Sequence, residues 1–221
     1  MLQEILLDKD NLTIEDVVAV ARHDIQVGLS QGAEERIQQA RALIGRWIHE
    51  NKVIYGITTG FGAMCNVTIS EEDTRKLQEN IMMSHASGVG NPLPEEIVRA
   101  IMAIRVHDLS MGYSGICLET IRHLLTFLNK RLSPVIPEKG SVGASGDLAP
   151  TAHLGLVLIG QGEAFYQGQR MSGEKALASI GLSPLKLEAG EGLALINGTQ
   201  VMTAIATLVV KDAIRLSKMA D

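Results

Sequence analysis

Residues 140–150 read Gly140-Ser141-Val142-Gly143-Ala144-Ser145-Gly146-Asp147-Leu148-Ala149-Pro150, three glycines at spacing three with small residues between them. Backbone so free of bulk reaches conformations closed to residues with a Cβ, and it can bend until the Gly146 nitrogen meets the Ala144 carbonyl carbon. Ring closure there, followed by loss of the Ser145 hydroxyl as water, leaves a conjugated exocyclic alkene. That product is a carbon electrophile, whereas ordinary side chains supply nucleophiles, acids and bases. On spacing alone a plain loop is the commoner reading of such a run. The spacing does not suit a phosphate cradle: the pattern is G-x-x-G-x-x-G rather than G-x-G-x-x-G, and no Lys-Ser or Lys-Thr follows. Gly146 follows Ser145 directly, so this is not the G-x-S-x-G nucleophile elbow either.

Three further positions carry candidate chemistry. Tyr55 heads the loop Tyr55-Gly56-Ile57-Thr58-Thr59-Gly60-Phe61-Gly62, whose glycines let it move or press close to a ligand. A phenol titrates at about pH 10 in isolation, so Tyr55 needs a lowered pKa to act as a base near neutrality. His85 ends a helical pattern within Ser84-His85-Ala86-Ser87-Gly88-Val89-Gly90; a lone histidine there reads equally as a satisfied or surface residue. Asn197 lies in Glu191-Gly192-Leu193-Ala194-Leu195-Ile196-Asn197-Gly198-Thr199-Gln200, just before a helix. Asparagine is a favoured N-cap, and a helix N-terminus also attracts an anion.

Four such blocks, in order from residue 55 to residue 200, resemble the signature of the aromatic amino acid ammonia-lyases, the histidine and phenylalanine ammonia-lyase family. The resemblance implies that Ala144-Ser145-Gly146 becomes a covalent methylidene-imidazolone, made by the chain itself with no metal or dissociable cofactor. It implies that Tyr55 is the catalytic base, that His85 contacts the substrate side chain and that Asn197 helps hold its carboxylate. The reaction implied is loss of ammonia from an aromatic amino acid, leaving the trans-α,β-unsaturated acid. Ser84-His85 looks like the histidine version of the selectivity pair, so the expected conversion is L-histidine to trans-urocanate and ammonia. A phenylalanine or tyrosine lyase or a 2,3-aminomutase shares these blocks. Departures from the family pattern are Thr58, where many histidine lyases carry Asn, His107 in place of Asn, and Cys117 in place of Arg.

The chain has 221 residues, 46% hydrophobic but only 3% aromatic, which suits packed helices better than a β-sandwich. A net charge of −5 without a basic block argues against nucleic acid as partner. Met1 is followed by Gln3, Glu4, Asp8 and Lys9, so no signal peptide is visible and a cytoplasmic location is expected. Cys65 and Cys117 show no metal spacing, and reduced thiols are the default. Residues 192–210 lack charge over a length that could cross a bilayer. Asn197, Gly198, Thr199 and Gln200 interrupt that run, so it reads as a helix buried in protein, with no membrane partner.

The elements that must position these residues are mainly helical. Thr13 N-caps a first helix with acids in its opening turn, and a second runs from Ala33 to about Glu50 with Ile37, Ala40, Ile44, Trp47 and Ile48 on one face. Ser70 restarts a helix toward His85; Pro92 and Pro94 open the next, and another spans Ile116 to Arg131. Pro134 and Pro137 mark an extended stretch, Leu148–Ile159 is a short apolar helix, and residues 163–171 form a small hairpin turning at Gly168. Ser172 caps a short helix ending at Gly181, and the last helix begins near Thr199. The expected fold is mainly α: an N-terminal helical and loop region carrying the prosthetic-group loop, leading into a long-helix bundle, with one small β-hairpin. Family members are about twice this length, so residues 1–221 are expected to be the N-terminal part of an ammonia-lyase, with the C-terminal half absent. The apolar last helix then awaits covering, and the resemblance implies a homo-oligomer, a tetramer in the full-length family. A chain of this extent is expected to be inactive alone; a non-catalytic module that only folds or associates is the alternative.

Overall fold

A computed structural model describes residues 4–8, 12–60, 71–142 and 146–221. Strand β1 (Glu4–Leu7) pairs in parallel with β2 (Gln26–Leu29), with helix α1 (Ile14–Arg22) as the crossover between them. Thr13 and Asp16 form a reciprocal capping box that starts α1. Helix α2 (Gln31–His49) follows, its first turn held by the Ser30 hydroxyl accepting from the Ala33 nitrogen. Helix α3 (Glu71–His85) leads into β3 (Val89–Pro92) and then α4 (Glu95–Ser110).

Helix α4 is the spine. Val98, Ile101, Met102, Val106 and Leu109 are all buried along it, as expected of a helix with apolar residues on several faces. Around it lie α1, α2 and the helix α5 (Leu118–Lys130). Arg99 on α4 is also buried, and its guanidinium donates to Val20 O and Leu128 O, carbonyls in the last turns of α1 and α5. One fixed fork thereby satisfies two helix ends at once.

Beyond α5 come β4 (Ser133–Pro134), β5 (Pro137–Lys139), α6 (Leu148–Leu158), the hairpin β6 (Glu163–Tyr166) and β7 (Gln169–Ser172), and α7 (Gly173–Ser179). Strand β5 pairs antiparallel with β3, and β4 adds to the hairpin in the order β4-β6-β7. The apolar α6 packs against α3, α7 and α8 (Glu191–Ile196). Helix α9 (Gln200–Ala220) closes the chain. Val201, Ala204 and Leu208 bury its first half, and Arg22 grips Asp212 through two nitrogens. Met202, Val209, Leu216 and Met219 on its other side are exposed.

The mainly helical expectation holds, and the hairpin turns at Gln167-Gly168, both with positive φ. Three features differ from the sequence reading. The parallel β1–β2 pair and the β3–β5 pair add strands where only a hairpin is expected, because both join short segments far apart in sequence. Helix α2 starts at Gln31 rather than Ala33, since Ser30 is its cap. Helix α5 starts at Leu118 rather than Ile116. Among the described residues no helix is long and apolar enough to cross a membrane. Ser70, Cys65 and residues 61–62 of the Tyr55 block lie outside the described residues.

Candidate active site

Two backbones meet where α6 and α9 begin. Gly146 forms a parallel bridge with Gly198, and the Asp147 nitrogen donates to Gly198 O at 2.8 Å. Gly146 has φ +88, and a Cβ there would collide with Gly198 O and Thr199 Cγ2. Only glycine meets both demands. Ala144 and Ser145 lie outside the described residues, but the third member of the tripeptide is held in a cradle that a Cβ would fill.

Asp147 locks this junction. Its carboxylate is buried, with Oδ2 accepting from the Val201 and Met202 nitrogens at 2.8 and 2.9 Å. Oδ1 accepts from Ser141 Oγ at 2.5 Å. Thr199, the N-cap of α9, makes no side-chain capping bond, so Asp147 satisfies the orphan donors from another element. This corrects the N-cap reading of Asn197. Asn197 ends α8 instead, with its nitrogen bonded to Leu193 O, and the residue is exposed.

Tyr55 and Asn197 line one cavity of about 300 Å³, with Ile57, Asp108, Ser114 and Leu193 among its other walls. Tyr55 is 54% exposed. Thr58 Oγ1 accepts from the Ile54 nitrogen and donates to Lys52 O, so this departure from the family pattern staples the loop that carries Tyr55. Arg105 on α4 lies behind two of the lining residues, Asp108 and Asn197. Its buried guanidinium donates to Leu195 O and Asn197 O and contacts Asp108 Oδ2 at 3.3 Å. Burial pulls Arg105 down to about 10, which leaves it charged at neutral pH. Gln200 Nε2 donates to the same Asp108 oxygen at 2.9 Å.

His85 stands apart from that cavity's lining. Its Nδ1 lies 2.8 Å from Ile81 O and 3.0 Å from Ser84 Oγ. A carbonyl only accepts, so Nδ1 carries a hydrogen, and in the neutral ring Nε2 is then the acceptor. The stretch after it is pinned to α6, where the Gly88 nitrogen donates to His153 Nε2 at 3.1 Å. Burial lowers the His153 pKa, consistent with a neutral ring that can accept. A Cβ on Gly140, at the foot of the signature loop, would lie 3.2 Å from the Gly88 Cα. His85 is therefore within three residues of the loop's base.

His107 and Cys117 take no part in this arrangement. His107 Nδ1 is buried with no hydrogen-bond partner among the described residues, and burial lowers its pKa. The Cys117 thiol is pushed up to about 12 by burial, so it is an inert thiol. Its backbone nitrogen donates to the buried Glu191, which also accepts from Thr120 and the Glu188 nitrogen. Among the described residues no three His, Cys, Asp or Glu side chains cluster as a metal site needs. A larger cavity, about 560 Å³ beside Lys130, Ser133 and Tyr166, holds none of the expected residues. Sequence reasoning missed Arg105, Asp108 and Gln200. The first two stand three apart on one helix face, a signal overshadowed by the departure at His107 between them.

The model of the aromatic amino acid lyase family matches residues 12–221. Curated histidine ammonia-lyases from Alkaliphilus oremlandii and Caldanaerobacter subterraneus are 54% and 56% identical to this chain over 220 residues. Each match covers 100% of this chain and 43% of the relative, so the chain spans less than half the length of these relatives. Among solved structures, the ergothioneine-degrading ergothionase from Treponema denticola superposes with a TM-score of 0.93 at 33% identity, over 97% of this chain and 43% of that one. With the ordered sequence blocks, the Gly146–Gly198 junction and a match over nearly the whole length, the chain belongs to the aromatic amino acid lyase family.

Proposed function

We propose that this chain carries the electrophile-forming loop and the base of a histidine ammonia-lyase, converting L-histidine to trans-urocanate and ammonia. The observation that carries this reading is the meeting of Gly146 with Gly198, beside an Asn197 that shares a cavity with Tyr55. The substrate assignment is supported by the 54–56% identity to curated histidine ammonia-lyases.

The reaction faces two difficulties, since an amine is a poor leaving group and the β-hydrogen is barely acidic. The methylidene-imidazolone derived from Ala144, Ser145 and Gly146 supplies the carbon electrophile that activates the substrate. Tyr55 removes the β-proton through its phenolate. Asn197 presents its amide to the substrate carboxylate near the N-terminus of the 21-residue α9, whose partial positive charge favours an anion there. His85 offers Nε2 to the imidazole N–H of the substrate. No metal or dissociable cofactor takes part.

Tyr55 and Asn197 are open to solvent in this chain. Removing a weakly acidic proton calls for a closed, water-poor site, so residues 1–221 alone are expected to show no substantial turnover. The active protein is a cytoplasmic homo-oligomer, a tetramer by family resemblance, and the exposed apolar side of α9 supports such association. Nucleic acid and membrane are not partners.

The experiment is a chimera in which residues 1–221 replace the matched part of the Alkaliphilus oremlandii relative. Incubated with histidine, phenylalanine and tyrosine in turn, it is expected to produce urocanate absorbance with histidine. Product only from phenylalanine or tyrosine, as a cinnamate or a β-amino acid, would overturn the substrate. No product from any of them would overturn the function.

A further inference from the structure

Asp108 is the one formally charged side chain among the described residues that line the cavity shared by Tyr55 and Asn197. It sits in the last turn of α4, where the helix dipole repels a carboxylate. Helix stability therefore does not explain it. Its side chain is 54% exposed, and both described hydrogen bonds, from Arg105 Nη1 and Gln200 Nε2, converge on Oδ2. Arg105 compensates the charge only in part, because the same fork also serves Leu195 O and Asn197 O. Oδ1 accepts no described hydrogen bond and retains its acceptor capacity.

The geometry also fixes its neighbour. Asp108 Oδ2 and Asn197 O lie 3.3 and 3.0 Å from the same atom, Arg105 Nη1. An amino acid carries its ammonium and carboxylate on one carbon, so the groups that bind them must be neighbours. In the proposed reaction Asn197 takes the carboxylate and His85 the ring, and among the described residues lining this cavity Asp108 supplies the counter-charge for the ammonium. Resting on that reading, we infer that Asp108 is a substrate-binding residue that receives the α-ammonium group of the incoming amino acid through Oδ1. It holds the group that leaves as ammonia, and it selects amino acids over their des-amino analogues. Arg105 and Gln200 are positioning residues that aim it.

The test is a calorimetric comparison of two ligands, L-histidine and 3-(imidazol-4-yl)propionate, which differ only in the amino group. It uses the chimera carrying Ser145→Ala to prevent turnover, with and without Asp108→Asn, a substitution that keeps an acceptor for Arg105 and Gln200. Histidine binding is expected to weaken by about tenfold or more, the scale of one lost charge-assisted hydrogen bond, while the des-amino analogue binds within about twofold of before. Equal losses for both ligands would show a merely structural role and overturn the inference, as would no loss for either. Should the chimera with Ser145 intact prefer phenylalanine, the same comparison runs with phenylalanine and 3-phenylpropionate. Asp108 is then tested independently of the histidine assignment.

Discussion

The backbone nitrogen of Asp147 donates to the carbonyl oxygen of Gly198 at 2.8 Å, so the residue after Ala144-Ser145-Gly146 and the residue after Asn197 are hydrogen-bonded neighbours. They are far apart in sequence. That single contact joins the loop proposed to form the electrophile to the start of α9.

Gly146→Ala tests the cradle. The new Cβ meets Gly198 O and Thr199 Cγ2 at a φ of +88. Strain at such a position costs about 1–3 kcal/mol, and the collision adds to it. A melting temperature lower by about 2–12 °C is expected, at about 2–4 °C per kcal/mol for a chain of this size; an unchanged one would show that the junction gives way freely.

Asp147→Ala leaves the Val201 and Met202 nitrogens and Ser141 Oγ without their acceptor. Urea unfolding is expected to show a loss of about 2–4 kcal/mol, and Asp147→Asn, which keeps one acceptor oxygen, about half of that. The reverse order of the two variants would contradict capping by the carboxylate.

Arg105→Met strands the Leu195 and Asn197 carbonyls and leaves Asp108 with only Gln200. A loss of about 2–4 kcal/mol follows from leaving two carbonyls without their donor, since Asp108 is half-exposed and its lost partner is screened by solvent. Arg105→Lys keeps the charge but not the planar fork, and its stability is expected to fall between. Equal stability of the lysine variant and the parent would show that the fork is not needed.

The pH response follows from His153. Burial lowers its folded-state pKa below the ordinary 6.5, so the unfolded chain takes up this proton first as pH falls. The stability it contributes is present above the unfolded value and is lost as pH drops from there through the folded pKa. Buried His107 acts in the same direction. Melting temperature is therefore expected to fall between pH 7 and pH 5 (about the window of an ordinary histidine). His153→Gln, which retains an acceptor for the Gly88 nitrogen, should flatten that slope; an identical slope would show that His153 does not set it.

Local chemistry is legible in the sequence wherever it depends on neighbours along the chain. Thr13 with Asp16, the turn at Gly168 and the start of α9 near Thr199 all follow from short patterns. The β1–β2 pairing is not, because EILL and QVGL meet only across the intervening α1. The site divides in the same way. Tyr55, His85, Asn197 and Gly146 stand in recognisable blocks. Asp147 as the cap of α9, and Arg105 as the clamp on Asn197, act on partners 54 and 92 residues away, and no local pattern announces those partners. Asn197 reads as a cap because it precedes a helix, but a distant carboxylate takes that role.

The most direct measurement is the intact mass of the chimera, beside that of its Ser145→Ala variant. Cyclisation and dehydration of Ala144-Ser145-Gly146 predict a protein lighter than its sequence by two water molecules, a loss that the variant does not carry. A chimera that forms urocanate from L-histidine at its full unmodified mass would contradict a self-made electrophile at Ser145.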